Sequence, residues 1–327
     1  MRKLALFVLV AFCLVLLGSS VALAASKKMI VGSVNARDRA LSQAFFNFKE
    51  YLEAENLGFE VDVFTDGVLG DDRRTIEGLQ LGTIHGTTVS TGPIAAFYSG
   101  IGVLDLPFLF KDRDEAYAVL DGPVGQELLN ALEAEEFIGL CYWENGWRHL
   151  TNSKHEVTGL EGIKGLKIRT LESPIHVDIW TSLGANPTPM SFSQLYTALE
   201  QKVVDGQENP LANVMTNKMD EVQKFVTLSG HLYGASPFLV SKVWWDSLND
   251  AERAAVKKAA LKARDDERKM AEQEDVVALA YLKDHGMTIS ELAPGEQAKM
   301  RAAVQAVYDK YGAAFKENLE KIEAAKP

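Results

Sequence analysis

The sequence predicts a two-domain α/β protein. Three observations carry this. The chain has 327 residues, enough for two cores of ordinary domain size. Its composition is that of a globular protein, with 47% hydrophobic and 24% charged residues. Short β-branched runs also alternate with helical periodicity in two successive sets.

The first 24 residues stand apart from both sets. Arg2 and Lys3 precede an unbroken apolar run over 4–17, and Ala22-Leu23-Ala24 follows as a small-x-small site. This is the layout of a secretory signal peptide cleaved after Ala24, and the run is too short to favour a membrane span. Cys13 follows the bulky Phe12 inside the run, which argues against lipidation. Cleavage removes Arg2 and Lys3 and takes the net charge from −11 to −13. An acidic chain of this kind excludes a general nucleic-acid surface. Cys141 then stands alone, so a disulfide framework is excluded despite an oxidising destination.

In the first set, 29–34 reads as a buried strand. Leu41, Ala44, Phe45, Phe48 and Leu52 recur at helical spacing over 40–55. Residues 60–64 alternate as a second strand, a helix runs from Asp71-Asp72 to Leu81, and 87–90 is a short strand closed by Gly92-Pro93. A largely parallel sheet is expected. In the second set, 147–151 and 165–170 read as strands and 173–183 as a helix. Pro187, Pro189 and Met190 read as a turn, 194–201 as a helix and 203–205 as a strand. The stretch 250–282 lacks proline and glycine. Ala254, Ala255, Val256, Ala259 and Leu261 predict a long helix packed along one face. No Gly/Ser linker appears, so the chain is expected to cross between domains more than once.

Catalysis finds no support. His85, His149, His155, His176, His231 and His285 are scattered without an H-x-x-x-H pair or a cysteine cluster, so no metal site is expected. Ser90 lacks the first glycine of a nucleophile elbow, and Gly100-x-Gly102 lacks the third glycine of a dinucleotide loop. Cys141 in an apolar stretch reads as core rather than as a partner of His149. No catalytic residue and no cofactor are expected.

The positive information lies elsewhere. In 165–170, Leu166, Ile168 and Thr170 share one side, so Lys167 and Arg169 face the other. An arginine near the end of such a strand reaches the space where open α/β sheets bind ligands. Arg148 lies just before Thr151-Asn152-Ser153, and two guanidinium forks entering one cleft would suit an organic acid. Each arginine taken alone is more often a surface or ion-pair residue. The run 203–210 reads as a strand ending in a polar turn at Pro210, with Asn209 able to read a polar ligand group. Trp147 and Phe192 fit either a core or a pocket wall.

These segments together resemble the extracytoplasmic solute-binding subunits of TRAP transporters, the dicarboxylate-binding-protein family. The resemblance runs from Gly70 through Leu248. It includes Asp105-Leu106-Pro107-Phe108-Leu109-Phe110, Asp121-Gly122-Pro123, Thr151-Asn152-Ser153 and Gly165-Leu166-Lys167-Ile168-Arg169. Ala185-Asn186-Pro187-Thr188-Pro189-Met190, Asp205-Gly206-Gln207-Glu208-Asn209-Pro210 and Glu221-Val222-Gln223-Lys224 complete it.

The resemblance implies a periplasmic-binding-protein fold with a ligand cleft between domains and a long helix spanning both. The expected domains are 25–147 plus 235–274 and 148–234 plus 275–327. It implies a periplasmic receptor, without a membrane anchor of its own, that closes on a small organic acid. The receptor would deliver that acid to a small and a large integral membrane subunit. The family's carboxylate-pairing arginine falls on Arg169, a second arginine on Arg148, the motif asparagine on Asn209 and the aromatic on Phe192. Asn35 and Ser90 match first-domain contacts. Glu172 and His176 depart from the better-known members. Glu172 near a ligand anion would repel it or read a ligand donor, which leaves amino-acid-like, aromatic and hydroxylated acids open beside C4-dicarboxylates. The rival readings are an ABC-type receptor, which shares the architecture without these motifs, and an exported hydrolase.

Overall fold

Met29 and Val31 are buried while Lys28 is exposed, and this alternation marks strand β1 (Lys27–Gly32) at the start of the described chain. The computed structural model describes residues 27–327, so the expected signal peptide lies outside the described residues. Helix α1 (Ala40–Glu53) buries Leu41, Phe45, Phe48 and Leu52 along one stripe. Strand β2 (Phe59–Phe64), helix α2 (Asp72–Gln80) and strand β3 (Gly86–Thr88) follow, with β1 parallel to both strands. The Asp71 side chain caps α2 by accepting from Arg74 N. Gly92-Pro93 does not close a strand. It lies inside the short helix α3 (Thr91–Ile94).

Helices α4 (Arg113–Asp121) and α5 (Pro123–Ala131) lead into β4 (Phe137–Asn152), a strand three times longer than expected. Then come β5 (Lys167–Thr170), α6 (Pro174–Ser182), β6 (Asn186–Pro189), α7 (Phe192–Glu200) and β7 (Gly206–Asn209). Two sequence readings fail here. Pro187 and Pro189 sit in a strand, which proline tolerates because β6 is the edge of the sheet. Residues 203–205 lie in the turn before β7, with Val203 half exposed, and the strand is the polar run after it. Its side chains are fully buried because the sheet and the neighbouring arginine supply their partners. Gly206 is required there, since a Cβ would come within 2.1 Å of Thr151 O.

Helix α8 (Leu211–Thr216) precedes β8 (Phe225–Ser241). Helix α9 (Lys242–Asp246) then leads to the 35-residue helix α10 (Asp250–Asp284), opened by an Asn249/Glu252 capping box. Strand β9 (Thr288–Glu291) and helices α11 (Glu296–Ala303) and α12 (Gln305–Ala325) end the chain. The sheet order is β2-β1-β3-β8-β4-β7-β5-β6, with β9 beside β8. β1, β2 and β3 pair in parallel at one end, as do β7, β5 and β6 at the other. The antiparallel pair β4/β8 runs through the middle and joins two lobes into one sheet. At its centre Gly146 opposes Gly234, the register shifts, and Gly146 has φ of +110°.

Helix α10 spans both lobes. Ala255, Val256, Ala259 and Ala263 pack with α1 against Trp143 and Phe238, while Ala278 and Leu282 join the core of α7 and α8. Of the stripe expected from sequence, Ala255, Val256 and Ala259 are buried, whereas Leu261 and Ala254 are exposed. Small alanines carry the stripe because α1 and the sheet approach it closely. Among the described residues no helix is long and apolar enough to cross a membrane.

The central strands also hold a test of pH stability. His149 Nδ1 accepts from Gly230 N at 3.1 Å, and burial, with His231 nearby, pulls His149 from 6.5 down to about 3. Below pH 6.5 the unfolded chain therefore gains a proton that the native ring refuses. Stability falls with pH across that window, by up to about 1.4 kcal/mol per pH unit for this group. Urea unfolding of His149→Gln, which keeps an acceptor, should show a pH slope shallower by one proton. An unchanged slope would mean that His149 titrates normally in the native state.

Candidate functional site

Loops after β1, β3, β5 and β7 meet the midpoint of β4 between the lobes, and they line a narrow cleft. One lobe contributes Asn35, Asp72, Thr88 and Ser90. The other contributes Arg148, Leu171, Phe192, Asn209 and Asn213, with Asn145 and Ser236 from the central strands. An outer crevice of about 270 Å³ shares Val34 and Phe192 with it.

Arg169 follows the strand alternation. Its Nε and Nη2 donate to Met190 O at 2.9 and 2.7 Å, and its guanidinium lies 6.0 Å from the Phe192 ring centre. Nη1 is buried and has no partner. Burial pulls this guanidinium down to about 10, against the opposing pull of Glu208. A desolvated donor beside the cleft is suited to an incoming anion.

Arg148 is differently placed. Its Nε donates to Glu208 Oε2 at 2.5 Å and its Nη2 to Oε1 at 2.8 Å, a bidentate pair with both side chains 1% exposed or less. Burial pushes the Glu208 carboxyl up, but Arg148 and the bond from His231 outweigh it and hold Glu208 well below the usual range. His231 Nε2 lies 3.2 Å from Glu208 Oε2. His176 is buried behind the cleft, 3.5 Å from Asp105 and 3.9 Å from Glu208. The charge of Arg148 is thus largely matched inside the protein.

Asn209 accepts from Arg148 Nη2 at 3.3 Å and from Asn213 Nδ2 at 3.0 Å. Ser90 accepts from Asn145 Nδ2 at 3.2 Å, and the Asn35 amide is held near Ser33 Oγ. Asn35, Ser90, Arg148, Phe192 and Asn209 therefore line the cleft, with Arg169 packed against Phe192. Arg169 thus lies behind the lining rather than in it, and two further expected residues are directed elsewhere. Trp147 packs edge-on against Tyr233 with ring centres 5.4 Å apart, on the far face of β4, because the β4 bulges reset the alternation. Glu172 is exposed, since the loop before α6 turns it outward while Leu171 faces the cleft.

Sequence reasoning missed Asp72, Asn145 and Asn213. Asp72 read only as a helix start, yet it faces the cleft, where burial pushes it up to about 7 against the pull of Arg169. Asn145 is fixed by Arg39, which donates from Nη2 to its carbonyl at 3.1 Å and to its Oδ1 at 3.0 Å. Asn213 carries no local signal, because it meets Asn209 only through the turn at Pro210 that joins β7 to α8. Cys141 lies in the core with its thiol pushed up to about 12 by burial. Among the described residues no cluster of metal-ligating side chains is present.

Comparisons with known proteins agree with this architecture. The family model DctP, bacterial extracellular solute-binding protein, family 7, matches residues 31–314. The sugar acid binding protein DctPAm of Advenella mimigardefordensis, solved with galactonate, is 40% identical. The alignment covers 92% of this chain and 98% of that one with a TM-score of 0.89. A TRAP periplasmic solute-binding protein of Sulfurospirillum deleyianum, solved with succinate, is 32% identical over 92% of this chain and all of its own, with a TM-score of 0.88. The C4-dicarboxylate-binding periplasmic protein DctP of Rhodobacter capsulatus is 34% identical, with 84% of each chain covered. With a matching family model over most of its length, a two-lobed sheet and a cleft at the lobe junction, this chain belongs to the DctP family of bacterial extracellular solute-binding proteins.

Proposed function

We propose that the protein closes its two lobes around a small organic acid, holds the acid's carboxylate with Arg169, and hands it to TRAP-type membrane subunits. The observation that carries this reading is the buried, unpartnered Nη1 of Arg169, whose guanidinium lies over Phe192 of the cleft wall. The protein is a solute receptor for organic acids. Relatives solved with galactonate and succinate support an acid ligand, and family membership supports a binding role over an enzymatic one. The same membership supports a periplasmic location, reached through the expected signal peptide, and a partnership with a small and a large membrane subunit.

In this reading the lobes are 25–147 plus 235–274 and 148–234 plus 275–327, and they hinge where Gly146 opposes Gly234. Glycine suits a hinge because it accepts backbone angles that other residues resist. Closure is testable by small-angle scattering with and without an acid that raises the melting temperature. A smaller radius of gyration on binding is the expected outcome. An unchanged radius would remove the hinge at these glycines from the mechanism.

A further inference from the structure

We propose that the cleft selects a hydroxylated monocarboxylate over a dicarboxylate, with Asn213 Oδ1 receiving a ligand hydroxyl, and this rests on Arg169 holding the ligand's carboxylate. The first ground is the polarity of three amides. An amide side chain can be turned either way, and only its partners decide which end is oxygen. Arg39, a donor only, sits 1% exposed and aims Nη2 at Asn145, so Asn145 must present oxygen there and nitrogen to Ser90. Arg148, also a donor only, does the same to Asn209, whose nitrogen then donates to Gln207 Oε1. Asn213 faces both of those oxygens, at 3.4 Å to Asn145 and 3.0 Å to Asn209. Its nitrogen must therefore point at them. Its own oxygen is left over, buried and without a partner in a residue that lines the cleft. Two buried arginines thus dictate, through two neighbours, that the cleft presents an acceptor at this point.

The second ground is charge. Glu208 already matches Arg148 in a bidentate pair, so Arg169 Nη1 is the unspent cationic donor of the site. Asp72, from the opposite lobe, adds a carboxyl to the cleft lining in the field of Arg169. A ligand with one carboxylate satisfies Arg169. A second carboxylate placed on the Asn213 side would meet a buried acceptor oxygen, which does not welcome an anion. A hydroxyl there donates to Asn213 Oδ1 and leaves its own oxygen for the amide and hydroxyl groups nearby. A ligand ammonium fits less well, because the Arg148 guanidinium stands close by, 3.3 Å from the Asn209 oxygen that Asn213 also faces. Arg39 is a positioning residue here. It does not line the cleft, but it sets the amide that sets Asn213.

The test is calorimetric binding to four- to six-carbon aldonates, their 2-deoxy and 3-deoxy analogues, and the matching straight-chain dicarboxylates and 2-amino acids. Wild-type protein should take at least one aldonate about tenfold or more tightly than its dicarboxylate and amino-acid counterparts, a comparison that needs no substitution. Asn213→Leu should weaken that aldonate roughly ten- to a hundredfold while moving one deoxy analogue less than about threefold. Arg39→Met should narrow the aldonate-to-deoxy ratio, an effect that a purely structural role would not produce. A dicarboxylate or amino acid bound more tightly than the matching aldonate overturns the selection and leaves the Arg169 reading standing. Silence across the whole panel also overturns it. Arg169→Gln binding like wild type would instead bring down the carboxylate reading beneath it.

Discussion

Arg169→Ala will abolish ligand-dependent thermal stabilisation while leaving the protein folded. The fold survives because β5 is held by backbone bonds to β6 and β7, none of which uses the Arg169 side chain. Met190 N also remains bonded to Thr170 O at 3.3 Å, which keeps the loop after β6 in place. What is lost is the buried donor, aimed by two bonds to Met190 O, that has no protein partner at Nη1. Truncating one side of a desolvated charge pair costs about 2–5 kcal/mol. That corresponds to roughly thirtyfold to several-thousandfold in affinity. Calorimetry on parent and variant, with circular dichroism to confirm the fold, reads the outcome. A variant that binds like the parent would mean that the carboxylate is held elsewhere.

Glu208→Ala is expected to produce the largest loss of stability. It leaves Arg148 charged, 1% exposed and without its bidentate partner, and it strips His231 of a bond. Breaking one side of a buried pair typically costs about 3–5 kcal/mol, whereas replacing both sides by apolar groups is often neutral. The double variant Arg148→Met/Glu208→Leu should therefore recover most of what the single variant loses. Urea unfolding of the three proteins decides it. If Glu208→Ala costs less than about 1 kcal/mol, water reaches the pair and the charge of Arg148 is available to ligands after all.

Much of the fold was legible because its signals are local. The stripe of Leu41, Phe45, Phe48 and Leu52 announces α1, and the proline-free run after Asn249 announces α10. Strand β8 was invisible for a physical reason. Its run Ser229-Gly230-His231 and its Gly234 and Pro237 have the composition of loops. They become strand because 17 residues lie along β4, with bulges that absorb the misfits. The polar strand β7 was misread likewise. Gln207, Glu208 and Asn209 look like a turn until Arg148 and Thr151 are brought across the sheet to meet them.

By itself the sequence determined the α/β class, the long helix, the absence of familiar catalytic motifs and, through motif order, the family. Strand alternation also placed Arg169 opposite the core-facing Ile168. Only the tertiary structure decided which of the two arginines is free. Arg148 and Glu208 are 60 residues apart, and nothing local in either marks the other as its partner. Whether a buried charge faces a counter-charge depends on which strands become neighbours, and that is settled when β4, β7 and β8 close into one sheet.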